Sequence, residues 1–173
     1  MKWHKLIPLF ALAVLSSPAD AETNLGRINI QLFGNIIDWT CVVVADDANK
    51  SVPLGSWATR DIPNKGDTTA PVAFQLRLTG CPTGPVSVTF QGVDDPSDTD
   101  LLSLNSSSTA TKVAIQLMDK DKKYLPLNRA SQTVQADENG NAVFNFYAGY
   151  ITTGSYPKAG TANADAMFLL NYD

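Results

Sequence analysis

The chain has 173 residues, with 13 lysines and arginines against 17 aspartates and glutamates, so no basic patch is available for nucleic acid or an anionic membrane surface. Its one histidine, His4, lies in a leader-like start, and the rest of the chain has none. That removes Ser-His-Asp and Cys-His catalysis and nearly all zinc sites.

Lys2, His4 and Lys5 make a basic start, and Leu6 to Leu15 is an apolar run interrupted by Pro8. The run is too short for a permanent membrane anchor. Ala19-Asp20-Ala21 puts small residues at the two positions a signal peptidase reads, so residues 1–21 are expected to be a secretory signal peptide. Cleavage is expected after Ala21; the alternative, after Ala19, is disfavoured by the adjacent Pro18. A buried N-terminal helix would explain the apolar run but not its two flanks together. Loss of Lys2, Lys5 and Asp20 leaves 11 basic residues against 16 acidic ones, a net charge of −5. Residues 22–173 suit one domain with a proper core. No second long apolar segment follows, so the protein is expected to be exported without inserting into a membrane.

Period-two patterning dominates from here on. Gly26, Ile28, Ile30, Leu32, Gly34 and Ile36 fall on one face, and Arg27, Asn29, Gln31 and Asn35 on the other, where Phe33 is the exception. The run is near twice the usual strand length. Strands are expected at Thr40–Val44, Ser51–Leu54, Val72–Thr79, Val86–Phe90, Val113–Met118, Val143–Ile151 and Ala162–Tyr172. Pro82, Gly84 and Pro85 stop one strand, and Asp94–Asp100 and Asn105–Thr109 read as loops. Asn139-Gly140 reads as a two-residue hairpin turn, because both residue types tolerate positive φ. Seven or more short strands at this spacing indicate an all-β sandwich.

Cys41 and Cys81 are the only cysteines, and export places them in an oxidising compartment, where a single pair forms a disulfide. Closing a loop of about 40 residues constrains the unfolded chain by roughly 4 kcal/mol in the entropy treatment. A redox-active pair would need close spacing such as C-x-x-C. Gly80-Cys81-Pro82-Thr83-Gly84-Pro85 lacks the Lys-Ser/Thr ending of a phosphate loop. Asp94, Asp95, Asp98 and Asp100 lack the central glycine and closing glutamate of a calcium loop, so no metal or cofactor is expected. Carboxylate-pair glycosidase chemistry has no cleft or raised pKa to point to it.

Several features together resemble the chaperone–usher pilins of type 1 fimbriae. Gly34 precedes Cys41 by seven residues after an alternating arm. Ser51-Val52-Pro53-Leu54-Gly55 is similar to a second-strand segment of these subunits, and Phe74-Gln75-Leu76-Arg77-Leu78-Thr79-Gly80-Cys81-Pro82 to the strand bearing the second cysteine. Val88-Thr89-Phe90-Gln91-Gly92 and Ile115-Gln116-Leu117 continue the likeness. Gly160 is fourteenth from the end and Tyr172 penultimate, the most specific part of the match. Thr69-Ala70-Pro71-Val72 to Leu104 and Leu125-Pro126-Leu127-Asn128 look closest to short tip-adaptor subunits, whereas Trp39 and the lead Glu22–Leu25 depart from them.

The resemblance implies an incomplete immunoglobulin-like sandwich that lacks its final strand. A periplasmic chaperone lends a strand to the groove, and at the outer-membrane usher the arm of a neighbouring pilin subunit replaces it. Residues 22–37 would then be a donor-strand extension and 38–173 the pilin domain. Ile28, Ile30, Leu32 and Ile36 would be the knobs, with Gly34 where the groove is shallow. Four buried aliphatic side chains give a gross term of roughly 6–12 kcal/mol. Gly160, Ala162, Ala164, Ala166, Phe168, Leu170, Tyr172 and Asp173 would form the edge that chaperone and incoming arm dock on. The Asp173 main-chain carboxylate would be held by a basic residue of the chaperone.

The residues themselves leave open whether the arm serves a neighbour or is the first strand of its own sandwich. The expected function is structural, a minor or adaptor pilin of a cell-surface fimbrium, with a major rod subunit as the alternative. A secreted carbohydrate-binding sandwich is a third reading, although no room remains for a separate lectin domain. A small secreted hydrolase is disfavoured by the missing histidine.

Overall fold

The structure is a computed structural model that describes residues 40–172. The expected signal peptide and donor arm, including Ile28, Ile30, Leu32, Gly34 and Ile36, lie outside the described residues, as does Asp173.

The regular structure of the described chain is almost all strand: β1 (Val42–Val43), an α-helical turn α1 (Ala45–Ala48), a 3-10 turn at Thr59–Asp61, β2 (Val72–Thr79), β3 (Pro85–Gly92), β4 (Asp94–Asp95), β5 (Asp98–Leu102), β6 (Val113–Met118), β7 (Val134–Gln135), β8 (Ala142–Thr152) and β9 (Ala166–Tyr172). They form two antiparallel sheets, ordered β1-β2-β8-β6-β5-β4 and β7-β3-β9. Alternation sets which side chains face inward. Leu76 and Leu78 of β2, Val88 and Phe90 of β3, Ile115 and Leu117 of β6, and Phe144 and Phe146 of β8 meet in one core. Phe90 and Phe146 pack edge to face with ring centres 4.9 Å apart, and Phe74 tilts against Phe146 at 5.7 Å. Cys41 and Cys81 are joined by a disulfide at the rim of this core.

Expected and observed elements agree where alternation is long: Val72–Thr79 and Val113–Met118 coincide residue for residue. Four places differ. Asp94–Asp100 is not a loop but a tight hairpin, in which Asp95 Oδ1 accepts from the Ser97 amide at 2.9 Å and Pro96 occupies the bend. Asn139-Gly140 is not a two-residue hairpin turn, because only Gly140 has positive φ, at 75°. The closure spans Asp137 to Asn141, and its flanking strands, β7 and β8, belong to different sheets. Ser51–Leu54 forms no strand, and the last strand begins at Ala166 rather than Ala162.

Upstream of β9, residues 161–163 are bonded to the 105–110 loop: Asn163 O accepts from the Asn105 amide at 2.7 Å, and Thr161 O from those of Thr109 and Ala110 at 3.0 Å each. Gly160 makes this close approach feasible. A Cβ there would lie 2.4 Å from Ala110 N and 2.6 Å from Thr109 C, both backbone atoms that cannot swing aside as a side chain can. Gly160→Ala is therefore expected to destabilise the domain by about 1–3 kcal/mol, as overpacking does. Urea denaturation checks this, and an unchanged midpoint would refute the packing role.

Candidate functional site

The direction of the backbone groups along β9 defines the site. In an antiparallel strand, successive residues turn their N–H and C=O to opposite sides. On β3, Val88 and Phe90 turn theirs toward residues 128–131: Val88 O accepts from the Ser131 amide at 2.8 Å and Phe90 O from the Asn128 amide at 2.9 Å. Ser87, Thr89 and Gln91 thus face β9, opposite Asn171, Leu169 and Met167. Ala166, Phe168, Leu170 and Tyr172 then point their backbone groups away from β3. The same parity continues upstream, where Thr161 and Asn163 face the 105–110 loop and Ala164 faces the other way. Among the described residues, no strand pairs with the edge from Ala164 to Tyr172.

Below this edge lies a groove of about 1100 Å³. Phe74, Leu76, Phe90, Leu102, Ile115 and Leu117 form its apolar floor. One wall is Ala162 to Phe168 together with Leu170, and the other is residues 47–55. The channel runs beside an unpaired strand edge, a row of backbone groups that folding normally covers. What fits it is an extended strand with alternating apolar residues.

Tyrosine hydroxyls tie down both ends. At one end Tyr150 Oη donates to Ala162 O at 2.8 Å. At the other, Tyr172 Oη accepts from the Cys41 amide at 2.9 Å, linking the last strand to the disulfide. Burial, the only cause acting on it, pushes the Tyr150 hydroxyl pKa up, so it stays protonated and donating.

Ala162, Ala164, Ala166, Phe168 and Leu170 line the groove wall. Tyr172 sits at its end. Gly160 does not line the groove: it is exposed and packs against Thr109 and Ala110, so its place is behind the wall rather than on the docking edge.

The expected set omitted the hub of the second wall. Asp47, 0 % exposed, lies in α1. Its Oδ2 accepts from Arg77 Nε at 2.7 Å and from the Arg77 amide at 2.9 Å, and its Oδ1 accepts from Arg77 Nη2 at 3.2 Å and from Lys50 Nζ. Lys50 Nζ also donates to Gln75 O at 2.7 Å, fastening the start of residues 50–55 to β2. The only sequence signal was the Asp47–Lys50 spacing, a weak one. The Arg77 hydrogen bond, against the opposing effect of burial, holds the Asp47 carboxyl well below the usual carboxylate range, and the same contact raises the pKa of Arg77.

The fimbrial protein family profile matches residues 30–173, and the chain belongs to that family of structural subunits of bacterial surface fimbriae. The chain is 50 % identical over 161 residues to the fimbrial-like protein FimF of Salmonella typhimurium, covering 92 % of this chain and 93 % of that one. It is 33 % identical over 179 residues to a type-1 fimbrial protein subunit of Serratia marcescens, covering 96 % and 97 % respectively. A type I fimbria protein of Burkholderia pseudomallei superposes with a TM-score of 0.60 at 29 % identity, over 76 % of this chain and 88 % of the other. The fold is thus the immunoglobulin-like pilin sandwich that lacks a strand.

Asp47→Asn is expected to lower stability at pH 7 by about 2 kcal/mol, through the loss of charge-assisted hydrogen bonds. Because the folded pKa is depressed, the wild-type advantage is present above the unfolded carboxylate value of about 4 and is lost as pH falls below it. The gap between the two proteins should therefore narrow with acid in urea titrations from pH 7 to pH 2. A pH-independent gap would refute the role of the charge.

Proposed function

We propose that this chain is a minor, adaptor-type pilin that polymerises by donor-strand exchange. The observation that carries this is the unpaired edge Ala164–Tyr172 above an apolar groove. A strand added there extends the sheet β7-β3-β9 across the groove, with backbone bonds giving affinity and alternate side chains giving register. The adaptor assignment is supported by the 50 % identity to FimF.

In this mechanism residues 1–21 direct export and residues 22–37 are the arm given to a neighbouring subunit. Ile28, Ile30, Leu32 and Ile36 act as knobs and Gly34 sits at the shallow point. The groove of residues 38–173 is filled first by the periplasmic pilus chaperone and then, at the outer-membrane usher, by the arm of the next pilin. The chain acts as a scaffold and not as an enzyme: the groove floor is apolar, and the buried carboxylate beside it is satisfied by Arg77 and Lys50.

The test is to graft Asn24–Ile37 after Asp173 through a short flexible linker, in a chain whose own N-terminal arm is removed. Tethering gives an effective concentration near millimolar. The graft is expected to raise the thermal midpoint by at least about 10 °C over the ungrafted chain and to keep it monomeric. The same graft carrying Ile30→Asp and Leu32→Asp is expected to give no gain, because it would place unpaired charges in the core. Equal midpoints for all three chains in calorimetry would show that the sandwich needs no donated strand.

A further inference from the structure

We propose that the outer face of β9 is a second selection surface for the donated strand. Its fitting occupant is residues 28–36 of a second copy of this chain, with Phe33 laid against Met167 or Leu169. This rests on the strand donation proposed above.

Side chains of β9 alternate between the core and the outside. Phe168 and Leu170 pack on the core, whereas Met167 and Leu169 point outward and are 68 % and 47 % exposed. The neighbouring outward positions are polar. Thr89 and Gln91 lie across from Leu169 and Met167 on β3, and Asn171 Nδ2 donates to Thr89 Oγ1 at 2.9 Å. Two large apolar side chains thus stand at the border of a polar face, on the strand whose other edge is open.

A strand added to that edge sets its own outward side chains next to these two, at cross-strand distances of about 4.5–5.5 Å between Cβ atoms. The arm's outward residues are Arg27, Asn29, Gln31, Phe33 and Asn35, and only Phe33 is apolar. Burial of the arm's opposite face in the groove does not explain that phenylalanine. Ile28 to Ile36 and Ala164 to Tyr172 are equal in length. Laid over each other antiparallel, they put Phe33 opposite Met167; laid parallel, they put it opposite Leu169. In both directions Leu32 meets Phe168, so the core register and the outer contact are satisfied together. The outer face therefore favours an arm with an apolar residue immediately before its glycine.

The test uses the exported chain purified from the periplasm, offered two mass-tagged 24–37 peptides at equal concentration, with the bound ratio read by native mass spectrometry. The native peptide is expected to outcompete the Phe33→Gln peptide about three- to fivefold. On a chain carrying Met167→Ser and Leu169→Ser the ratio is expected to fall to about one. A ratio near one on the unaltered chain, or a preference unchanged by the two serines, overturns the proposal. A peptide with Ile30→Asp and Leu32→Asp should not bind in any of these cases; if it binds as well as the native one, strand donation itself fails. Peroxide oxidation of Met167 gives a readout on the unaltered chain alone. The native peptide should slow it more than the Phe33→Gln peptide does, and equal rates overturn the outer contact.

Discussion

The unpaired edge of β9 governs the rest of the molecule, because a sandwich with an open edge collapses or aggregates unless both sides of the gap are held apart. One side is β9 itself, which is in register with β3 over seven residue pairs from Val86–Tyr172 to Gly92–Ala166 and so cannot swing into the groove. Its upstream extension is held from behind by the 105–110 loop, at a distance only Gly160 allows. The other side, residues 47–55, has no strand partner among the described residues and is held by side chains instead. Asp47 gathers Arg77 and Lys50, Lys50 reaches Gln75 O, and Trp57 Nε1 closes on Leu54 O at 2.9 Å. The wall that lacks a ladder is the one that has a buried carboxylate.

The ends are fixed as firmly as the sides. Cys41 begins the described chain's first strand region, Cys81 follows β2, and Tyr172 ends β9, yet all three meet through the disulfide and the Tyr172 hydroxyl. The Cys81 amide donates to Gly140 O at 2.9 Å, which brings the turn before β8 into the same knot. A contact spanning 131 residues joins the two ends of the described chain. The groove's walls and ends come from segments far apart in the described chain, so it forms only when those segments have come together.

Much of this was legible in the sequence, and what was not has physical reasons. Long alternation with β-branched and aromatic residues fixed β2, β6 and β8, because the core face repeats every second residue whatever the surroundings. Phe168 and Leu170 were visible on the groove face for the same reason. Ser51–Leu54 has strand composition but pairs with no strand among the described residues, and composition cannot report pairing. The β4–β5 hairpin was hidden because aspartates are poor strand formers; here Asp95 is used for an Asx turn and only Leu101 and Leu102 reach the core. Asp46 and Asp47 are adjacent and chemically alike, and only the fold decides that one is exposed and the other buried against Arg77. Gly160 was seen as special, but a glycine marks a close approach without saying to what.

The energetics explain why the site is a long edge rather than a deep pocket. Ordering nine arm residues costs on the order of 9–18 kcal/mol of backbone entropy. If residues 28–36 serve as the arm proposed above, four aliphatic knobs would return roughly 6–12 kcal/mol, so apolar burial alone would not hold it. Alternate residues from Ala164 to Tyr172 turn both backbone groups outward, which allows on the order of eight to ten ladder bonds at about 0.5–1.5 kcal/mol each. Those bonds tip the balance, and they form only when the strand lies in register along the full edge. A shift by one residue forfeits the knobs, because every side chain changes face. On the proposed mechanism, discrimination between arms would come from their side chains, while the edge would supply a contribution common to any strand of the right length. An acceptor built this way holds a chaperone's strand and a neighbour's arm in the same place, and small differences in side chains decide which one stays.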